Sequence, residues 1–437
     1  MNPNSTLPDR KLVISHVLSS LNNYWTNDSE CLLSLPIINL QRSLTLTIPL
    51  RLEKVTIPVW ASVCGINGEL LVPQECILNN SVKDRWKEVD WWAAAFLLME
   101  GWHERLWEST HGVIHSYSRK LKGWDTRAWD HAWVNRIAMF LRKWLAMLEG
   151  KPECFLGKLP TTNIVLSHDV DAITKTHPIR IKQTTFLLFN SLLLCLQFKF
   201  NDSLKKLVKS FQFCFSNEDW WVFDKLLKIN KEAGISALYH FYADPRPKTF
   251  KRWLMDPSYN VSCDRVCSLV STLMKAGNEV GLHPTYDAWY DYRLIEEQRV
   301  KLENCVNSKV SICRQHWLRF SWKDTWFAQE KAGLDNDSSL MFNDRSGFRN
   351  SSAISWKPWN QLKGESYNLI CTPCTMMDSH LYDYNNFTSN ERSTYMKSWI
   401  KECREVKGKT SLLWHPQTLT DDYGWEESFI ELVDEIS

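Results

Sequence analysis

The most informative stretch of the sequence is Ile164-Val165-Leu166-Ser167-His168-Asp169-Val170-Asp171. It is a short apolar run that ends abruptly in two carboxylates, which is typical of a buried strand that stops at a polar edge. Because side chains alternate along a strand, Asp169 and Asp171 point to one face, about 6.6 Å apart, and His168 points to the other. Two carboxylates at the C-terminal end of a parallel strand lie where β/α barrels build their active sites. The pair can bind a cation and take a proton, or it can simply end the strand and cap the next helix.

Working outward from this stretch, β-rich runs alternate with helical patterns. The strand candidates are residues 164–171, 236–243, 279–285, 311–320, 338–342, 367–371 and 411–415. Helical patterns between them cover residues 221–232, 262–276 and 289–304. This alternation predicts a parallel sheet covered by helices. We therefore expect residues 156–437 to form an α/β fold, a deformed β/α barrel of about seven parallel strands.

The first part of the chain has a different pattern. Residues 46–71 hold short apolar runs that are broken by prolines and glycines, as in small strands and turns. Residues 91–108 and 133–148 carry apolar side chains at helical spacing. We predict a smaller α+β accessory domain over residues 1–155.

Composition excludes several classes of protein. The 52 basic and 50 acidic side chains nearly cancel, so we expect no nucleic-acid partner. The 23 tryptophans favour a large core, with sugar-stacking platforms as the alternative. The 13 cysteines are scattered without the spacing of a disulfide framework, which is typical of reduced thiols in a cytoplasmic protein.

One apolar stretch, residues 186–196, needs separate interpretation. Asn190 and Ser191 interrupt it, and it is shorter than the ~20 residues of a membrane-spanning helix. We expect a buried helix and no transmembrane segment. Lysines follow the stretch, so an amphipathic helix on a membrane surface is the alternative.

Two more strand candidates end in histidine. His283 follows Glu279-Val280-Gly281-Leu282, and His415 follows Leu412-Leu413-Trp414. Parallel topology brings both strand ends to the same edge as Asp169 and Asp171. At that edge a histidine can ligate a metal or act as a general acid, although a lone histidine is usually structural.

A fourth segment is Cys313-Arg314-Gln315-His316-Trp317-Leu318-Arg319-Phe320. Its two arginines can orient a carboxylate or bind substrate, and its aromatic side chains can stack on a sugar. Surface ion pairs are the alternative explanation. The predicted substrate-binding residues are Arg314, His316 and Trp317.

These four segments, in this order, resemble the polysaccharide deacetylase family of metal-dependent carbohydrate esterases, which have a deformed β/α barrel. The sequence is most similar to a branch with an Asp-Val-Asp first motif and an extra N-terminal domain, found beside surface-polysaccharide genes in bacteria. Gly347-Phe348-Arg349 supports the likeness, which runs from about residue 163 to the C-terminus.

The resemblance implies three catalytic roles. Asp169 matches the catalytic base, and His415 matches the late general acid. Arg319 lies near the family's arginine that orients the base, although the usual Arg-x-Pro-Tyr sequence is absent.

The resemblance also implies a divalent cation, and zinc is the expected one. Asp171 matches a metal-binding carboxylate, and His283 matches the first histidine of a His-x-x-x-His pair. Asp287 stands four residues later, where the family has its second histidine. We take Asp171, His283 and Asp287 as the predicted ligands, with His316 as another conceivable third ligand.

The function implied is hydrolysis of an acyl group, N-acetyl being expected, from a sugar or surface-polysaccharide precursor. An inactive carbohydrate-binding or scaffold protein on the same fold is one alternative, because Asp287 replaces a histidine. A glycoside hydrolase also uses two carboxylates, but these must flank a bond from opposite sides.

Overall fold

The computed structural model describes residues 7–27, 29–41 and 44–437. The α-helices are α1 (Arg10–Ser20), α2 (Trp91–Met99), α3 (Trp102–His111), α4 (Trp133–Glu149), α5 (His177–Leu196), α6 (Phe200–Phe215), α7 (Phe223–Glu232), α8 (Phe250–Met255), α9 (Asp264–Lys275), α10 (Tyr292–Val306), α11 (Thr325–Lys331), α12 (Asp378–Tyr382), α13 (Ser389–Glu405) and α14 (Glu426–Ile436). The strands are β1 (Leu52–Thr56), β2 (Glu69–Pro73), β3 (Asn163–Val170), β4 (Ala237–Phe241), β5 (Glu279–Leu282), β6 (Ile312–Cys313), β7 (Asn336–Asp337), β8 (Trp359–Asn360), β9 (Glu365–Ser366), β10 (Ile370–Cys371), β11 (Cys374–Met377) and β12 (Lys409–Leu413).

The fold is α/β, a deformed β/α barrel, as the strand–helix alternation predicted. Eight strands form the main sheet, against the expected number of about seven. No predicted strand covers β11, whose sequence Cys-Thr-Met-Met holds a single β-branched residue and so gave little strand signal. The strand predicted over residues 338–342 is wrong, because β7 ends at Asp337 and those five residues form no strand.

The chain forms two compact units. The first comprises Met1–Val165, Trp289–Tyr292 and Ser311–Leu412, and the second comprises Leu166–Ala288, Arg293–Val310 and Leu413–Ser437. This division follows compactness and differs from the predicted domains, so the boundary between residues 155 and 156 stays a prediction.

Parallel pairing sets the order of strands inside each unit. In the second unit β4 lies between β3 and β5, with Asp169 beside His240 and Phe241 beside Leu282. In the first unit β7 lies between β6 and β10, and both pairs are parallel. Parallel pairing places the C-terminal ends of β3, β4 and β5 at one edge.

Two predicted elements in the first unit are shorter than expected. The strand predicted over residues 311–320 is limited to β6, and farther along Trp317 and Leu318 take left-handed backbone angles, φ 56° and 48°, on a 3-10 turn. The helix predicted over residues 91–108 is split into α2 and α3 at Gly101, where φ is 54°. A side chain at Gly101 would overlap the indole of Trp322, so packing as well as backbone angle requires glycine there.

Tryptophan and cysteine are used as the composition indicated. Several of the largest fully buried side chains are tryptophans: Trp25, Trp91, Trp102, Trp220, Trp322, Trp326 and Trp414. All thirteen cysteines fall among the described residues, and none of them forms a disulfide.

The prediction of a buried helix at residues 186–196 is wrong. The helix is α5, which begins earlier, at His177, and only Leu187 and Ser191 along it are buried. The sequence showed how apolar this stretch is, but apolar character alone does not distinguish a core helix from an exposed one. By length and composition α5 is also the one helix among the described residues that could cross a membrane.

A buried ion-pair network joins α4 to α13 in the first unit. The carboxylate of Glu402 accepts hydrogen bonds from Arg136 at 2.6 and 2.9 Å, and it lies 2.9 Å from Nδ1 of His131. The backbone N–H of Ala132 donates a further bond to it at 3.0 Å. Burial disfavours the charged carboxylate, but the bonds from His131 and Arg136 outweigh it and lower the pKa of Glu402 to about 2.

Replacing Glu402 by glutamine should lower the free energy of unfolding at pH 7 by about 3 kcal/mol. A carboxylate whose pKa is lowered by folding stabilises the fold at every pH above its pKa in the unfolded state. This stabilisation is lost as the pH falls toward its pKa in the folded state. The difference between wild type and Glu402→Gln should therefore shrink as pH falls from about 4.5 to about 2. Denaturant unfolding across this range measures it.

Glu405→Gln is the matched control. Glu405 also contacts Arg136, at 2.9 Å, but its side chain is 46% exposed, so its loss should cost less than about 1 kcal/mol. Equal losses in the two variants, or a loss for Glu402→Gln that does not change with pH, would contradict this account.

Candidate active site

The first site strand presents its two carboxylates on one face. Asp169 is the penultimate residue of β3, and Asp171 follows the strand by one residue. His168 points the other way, where its Nδ1 lies 2.8 Å from the carbonyl oxygen of Trp414 and its ring packs against Tyr239. The alternation expected from the sequence is therefore confirmed.

Asp169 is buried between two histidines. One carboxylate oxygen lies 2.9 Å from Nδ1 of His240, and the other lies 3.8 Å from Nε2 of His283. His240 is its neighbour in the register of β3 and β4, and His283 directly follows β5. The sheet register thus surrounds this carboxylate with imidazoles that adjacent strands supply.

Asp171 is the more accessible carboxylate. Its Oδ1 lies 3.3 Å from Nε2 of His283, and its Oδ2 lies 3.6 Å from Nε2 of His415. The side chains of Asp171 and His415 are 30% and 18% exposed, so solutes can reach them from the surface. In the second unit, Asp169, Asp171, His283 and His415 converge, as their positions at strand ends predicted.

The donor atoms fit a divalent cation. Zinc binds histidine nitrogen and carboxylate oxygen at about 2.0–2.2 Å, so two ligands at tetrahedral positions lie roughly 3.3–3.6 Å apart. The separation between Asp171 Oδ1 and His283 Nε2 is 3.3 Å. One hard oxygen and one imidazole nitrogen at this spacing are a suitable start for a zinc site.

Asp287 is engaged elsewhere in the second unit. Its carboxylate accepts hydrogen bonds from Arg246 at 3.1 Å and from the hydroxyl of Thr285 at 2.9 Å. Partial burial opposes its charge, but the bonds from Arg246 and Thr285 outweigh that effect and lower the pKa of Asp287. A carboxylate already neutralised by a guanidinium is a weak cation ligand, and the ligand role of Asp287 stays a prediction.

The other predicted site residues belong to the first unit. Arg314 is fully buried and donates to the carbonyl oxygen of Ser338 and the hydroxyl of Ser411, each at 3.1 Å. His316 is buried on a short 3-10 turn, whereas Trp317 on the same turn is 44% exposed. Trp317 can therefore reach a ligand from the surface, and the substrate-binding roles of all three stay predictions.

Arg319 lies against an imidazole and an indole. Its guanidinium is 2.9 Å from Nε2 of His115, and it lies over the ring of Trp289 at 5.6 Å. Burial, and then the charge of Arg319, lowers the pKa of His115 to about 3, so this histidine is neutral at pH 7. The role of Arg319 in orienting the base stays a prediction.

His240 is the site residue that sequence reasoning missed. It lies inside the strand predicted over residues 236–243, and alternation along that strand already placed it on one face. What the sequence did not show is the register, which sets His240 beside Asp169. The available signal for His240 was a histidine in the strand that follows, along the chain, the strand ending in Asp169 and Asp171.

No model of a protein family matches the sequence, and no curated protein sequence matches it either. Solved structures similar to the chain include a putative polysaccharide deacetylase from Mycobacterium smegmatis, with 15% identity over 64% of this chain and 85% of that one, at a TM-score of 0.39. A CE4 family pseudoenzyme from Bacillus anthracis has 11% identity over 63% of this chain and 59% of that one, at a TM-score of 0.27.

A third similar structure is the Xyl-CE4 domain of a multidomain xylanase from the hindgut metagenome of Trinervitermes trinervoides. It has 11% identity over 63% of this chain and 81% of that one, at a TM-score of 0.29. These likenesses concern the fold, and what the chain does is argued below from its own residues.

Asp171→Asn and His283→Ala should each weaken zinc binding by about tenfold or more, because each removes one of two donors at coordination spacing. Titration calorimetry with zinc, on protein stripped with a chelator, measures the loss. Glu279→Gln, an exposed carboxylate at the start of β5, is the matched control and should retain affinity within about twofold. Asp287→Asn tests the other predicted ligand. His316→Ala belongs in the same series, since the sequence left His316 open as a third ligand.

The opposite pattern would contradict this site. In that pattern, Asp287→Asn would abolish zinc binding, and Asp171→Asn and His283→Ala would leave the affinity unchanged. The ion would then bind beside Asp287 and Arg246.

Proposed function

We propose that this chain is a metal-dependent hydrolase that removes an acyl group, N-acetyl being expected, from a sugar of a surface polysaccharide or its precursor. The observation that carries the proposal is the convergence of Asp169, Asp171, His283 and His415 in one unit. The resemblance of the sequence segments to polysaccharide deacetylases supports it, and the scattered spacing of the 13 cysteines supports a cytoplasmic location.

In this proposal Asp171 and His283 hold the cation, and Asp287 and His316 are the candidates for a third protein ligand. A bound zinc ion supplies Lewis-acid polarisation of the scissile carbonyl and makes water more acidic. The remaining chemistry belongs to the side chains of the chain itself.

Asp169 is proposed as the general base. It takes one proton from a water molecule whose oxygen forms the new bond to the carbonyl carbon. His240, whose Nδ1 lies 2.9 Å away, is proposed to position this carboxylate. Arg319 is proposed to orient this base.

His415 is proposed as the general acid. Its imidazole is partly exposed and lies beside Asp171, so it can reach a leaving group that enters from solvent. When the bond between carbonyl carbon and sugar nitrogen breaks, His415 gives its proton to that nitrogen. The products are a carboxylic acid and a free sugar amine. The proton that Asp169 took from water passes to solvent while His415 takes one back, so both groups return to their starting states.

An inactive carbohydrate-binding protein is the second candidate. The observation that favours it is the ion pair of Asp287 with Arg246, where the family's second metal histidine is expected. A glycoside hydrolase is less well supported, because Asp169 and Asp171 lie two residues apart on one strand face rather than across a bond.

Asp169→Asn should lower the rate of acetate release from N-acetylated sugars by about 10²- to 10⁴-fold, because the amide cannot accept the proton. Zinc affinity, measured by calorimetry, should remain within about fivefold of wild type, since Asp169 is not a proposed ligand. Glu279→Gln, an exposed carboxylate at the start of β5, is the control and should retain full activity. Wild-type protein that binds zinc and N-acetylated sugar but releases no acetate would establish the second candidate instead.

His240 should behave as a positioning residue. His240→Leu removes the group beside Asp169 and should lower kcat by about tenfold or more with KM within about twofold. His240→Asn keeps an N–H donor near the position of Nδ1 and should recover part of the lost rate. Equal kcat in the wild type and His240→Leu, or a change confined to KM, would remove His240 from the mechanism.

A further inference from the structure

The hairpin formed by α5 and α6 in the second unit is covered with exposed apolar side chains. They project from both helices and from the turn between them: Ile181, Phe186, Leu188, Phe189, Leu192, Leu193, Leu196, Phe198, Phe200, Leu204, Val208, Phe211 and Phe215. So many exposed apolar side chains on one element of a folded protein mark a place where a partner or a membrane binds.

The two helices contact each other through small polar residues. Ser191 donates to the carbonyl oxygen of Ser203 at 2.8 Å, and Ser203 donates to that of Ser191 at 2.8 Å. Ser210 donates to the carbonyl oxygen of Thr184 at 3.2 Å. Leu187 and Phe213 are also buried, but most apolar side chains of the two helices face outward, whereas a hairpin made for water keeps them inside. Serines that hydrogen-bond between closely packed helices are typical of an apolar environment.

The turn of the hairpin exposes two aromatic side chains. Phe198 is 82% exposed and Phe200 is 61% exposed, and their ring centroids are 6.2 Å apart. Phe198 has a φ of 61°, in the left-handed region that disfavours a bulky residue. Backbone strain that exposes two phenylalanines to water is unfavourable, and nothing in the folded unit offsets this cost. Binding of the two rings to an apolar phase explains it better.

The charge of the hairpin identifies that phase. Between residues 181 and 215 there are five lysines and one aspartate, whereas the whole chain has a net charge of +2. Lys199 is exposed in the turn, and the side chain of Lys205 is 81% exposed, 3.9 Å from Asp202. Lys209 instead donates to the carbonyl oxygen of Tyr423 at 3.1 Å. Lysines among exposed apolar residues match a bilayer that contains anionic headgroups.

The base of the hairpin is fastened to the rest of the second unit. Arg180 donates to the carbonyl oxygens of Cys214 and Ser216 at 2.8 and 2.5 Å, which ties the start of α5 to the end of α6. Lys175 forms a buried ion pair with Asp422 at 2.8 Å. The apolar surface is therefore presented by an anchored element and not by a frayed segment.

We propose that the α5–α6 hairpin docks this chain on the surface of a bilayer that contains anionic lipid, with Phe198 and Phe200 inserted among the acyl chains. The lysines of α6 keep the hairpin at the interface, because they would have to leave the headgroups for it to cross. A second copy of the chain fits this surface less well, since a symmetric contact would bring the lysines of both copies together.

The test is sedimentation of the full chain with vesicles of phosphatidylcholine, either alone or mixed with phosphatidylglycerol. Wild-type protein should sediment with the mixed vesicles more strongly than with the neutral ones, and added salt should weaken its binding. Phe198→Ser/Phe200→Ser should reduce binding by about a hundredfold, as expected for two phenylalanines that leave an apolar phase. Lys199→Glu/Lys205→Glu should remove the preference for anionic vesicles.

Val59→Ser/Val63→Ser is the matched control. Both valines are exposed, at 91% and 71%, but they lie far from the hairpin along the chain, and this variant should bind vesicles as wild type does. Circular dichroism confirms that each variant is folded.

Three results would overturn the proposal. One is equal vesicle binding by wild type and folded Phe198→Ser/Phe200→Ser. Another is equal binding to neutral and anionic vesicles. The third is wild-type dimerisation that Phe198→Ser/Phe200→Ser abolishes without any vesicle binding, since the surface would then join two copies.

Discussion

The parallel register of β3, β4 and β5 is the constraint on which the candidate site depends. It places Asp169 beside His240 and brings the residue after β5 to within 3.3 Å of Asp171. Each of these groups is hydrated at low cost in an unfolded chain, and burying them is unfavourable unless they meet one another. A shift of one residue along β3 would turn both carboxylates to the opposite face and leave the imidazoles without them.

Burial gives the two carboxylates different environments. Asp169 is 3% exposed and lies between two imidazoles, whereas the side chain of Asp171 is 30% exposed. A buried carboxylate held by a neighbour suits proton transfer, and an accessible one suits a cation that must also meet substrate. This difference is the physical basis for giving the two residues different roles in the proposed hydrolase.

Much of this could be predicted from the sequence, because it depends on local pattern. Strand alternation gave the faces of His168 and Asp169, and strand–helix alternation gave the α/β class. Convergence of Asp171 with His283 and His415 followed from the rule that parallel strands end at one edge. These inferences needed no knowledge of which strand pairs with which.

What could not be predicted depends on pairing and on solvent. The partner of Asp169 required the register of β4, and the ion pair of Asp287 required the position of Arg246, 41 residues earlier in the chain. The exposure of α5 could not be deduced either, since a core helix and a membrane-docking helix have the same apolar composition. The 3-10 turn at Trp317, inside the strand predicted over residues 311–320, could not be predicted either, because no glycine or proline marks its left-handed backbone.

The central claim is that Asp171 and His283 share one cation. A crystal structure of the zinc-soaked full chain, with anomalous data collected on both sides of the zinc absorption edge, tests it most directly. The account predicts a single strong anomalous peak within coordination distance of the Asp171 carboxylate and of Nε2 of His283. A peak beside Asp287 and Arg246, or a fully soaked crystal without a peak at Asp171, would contradict it.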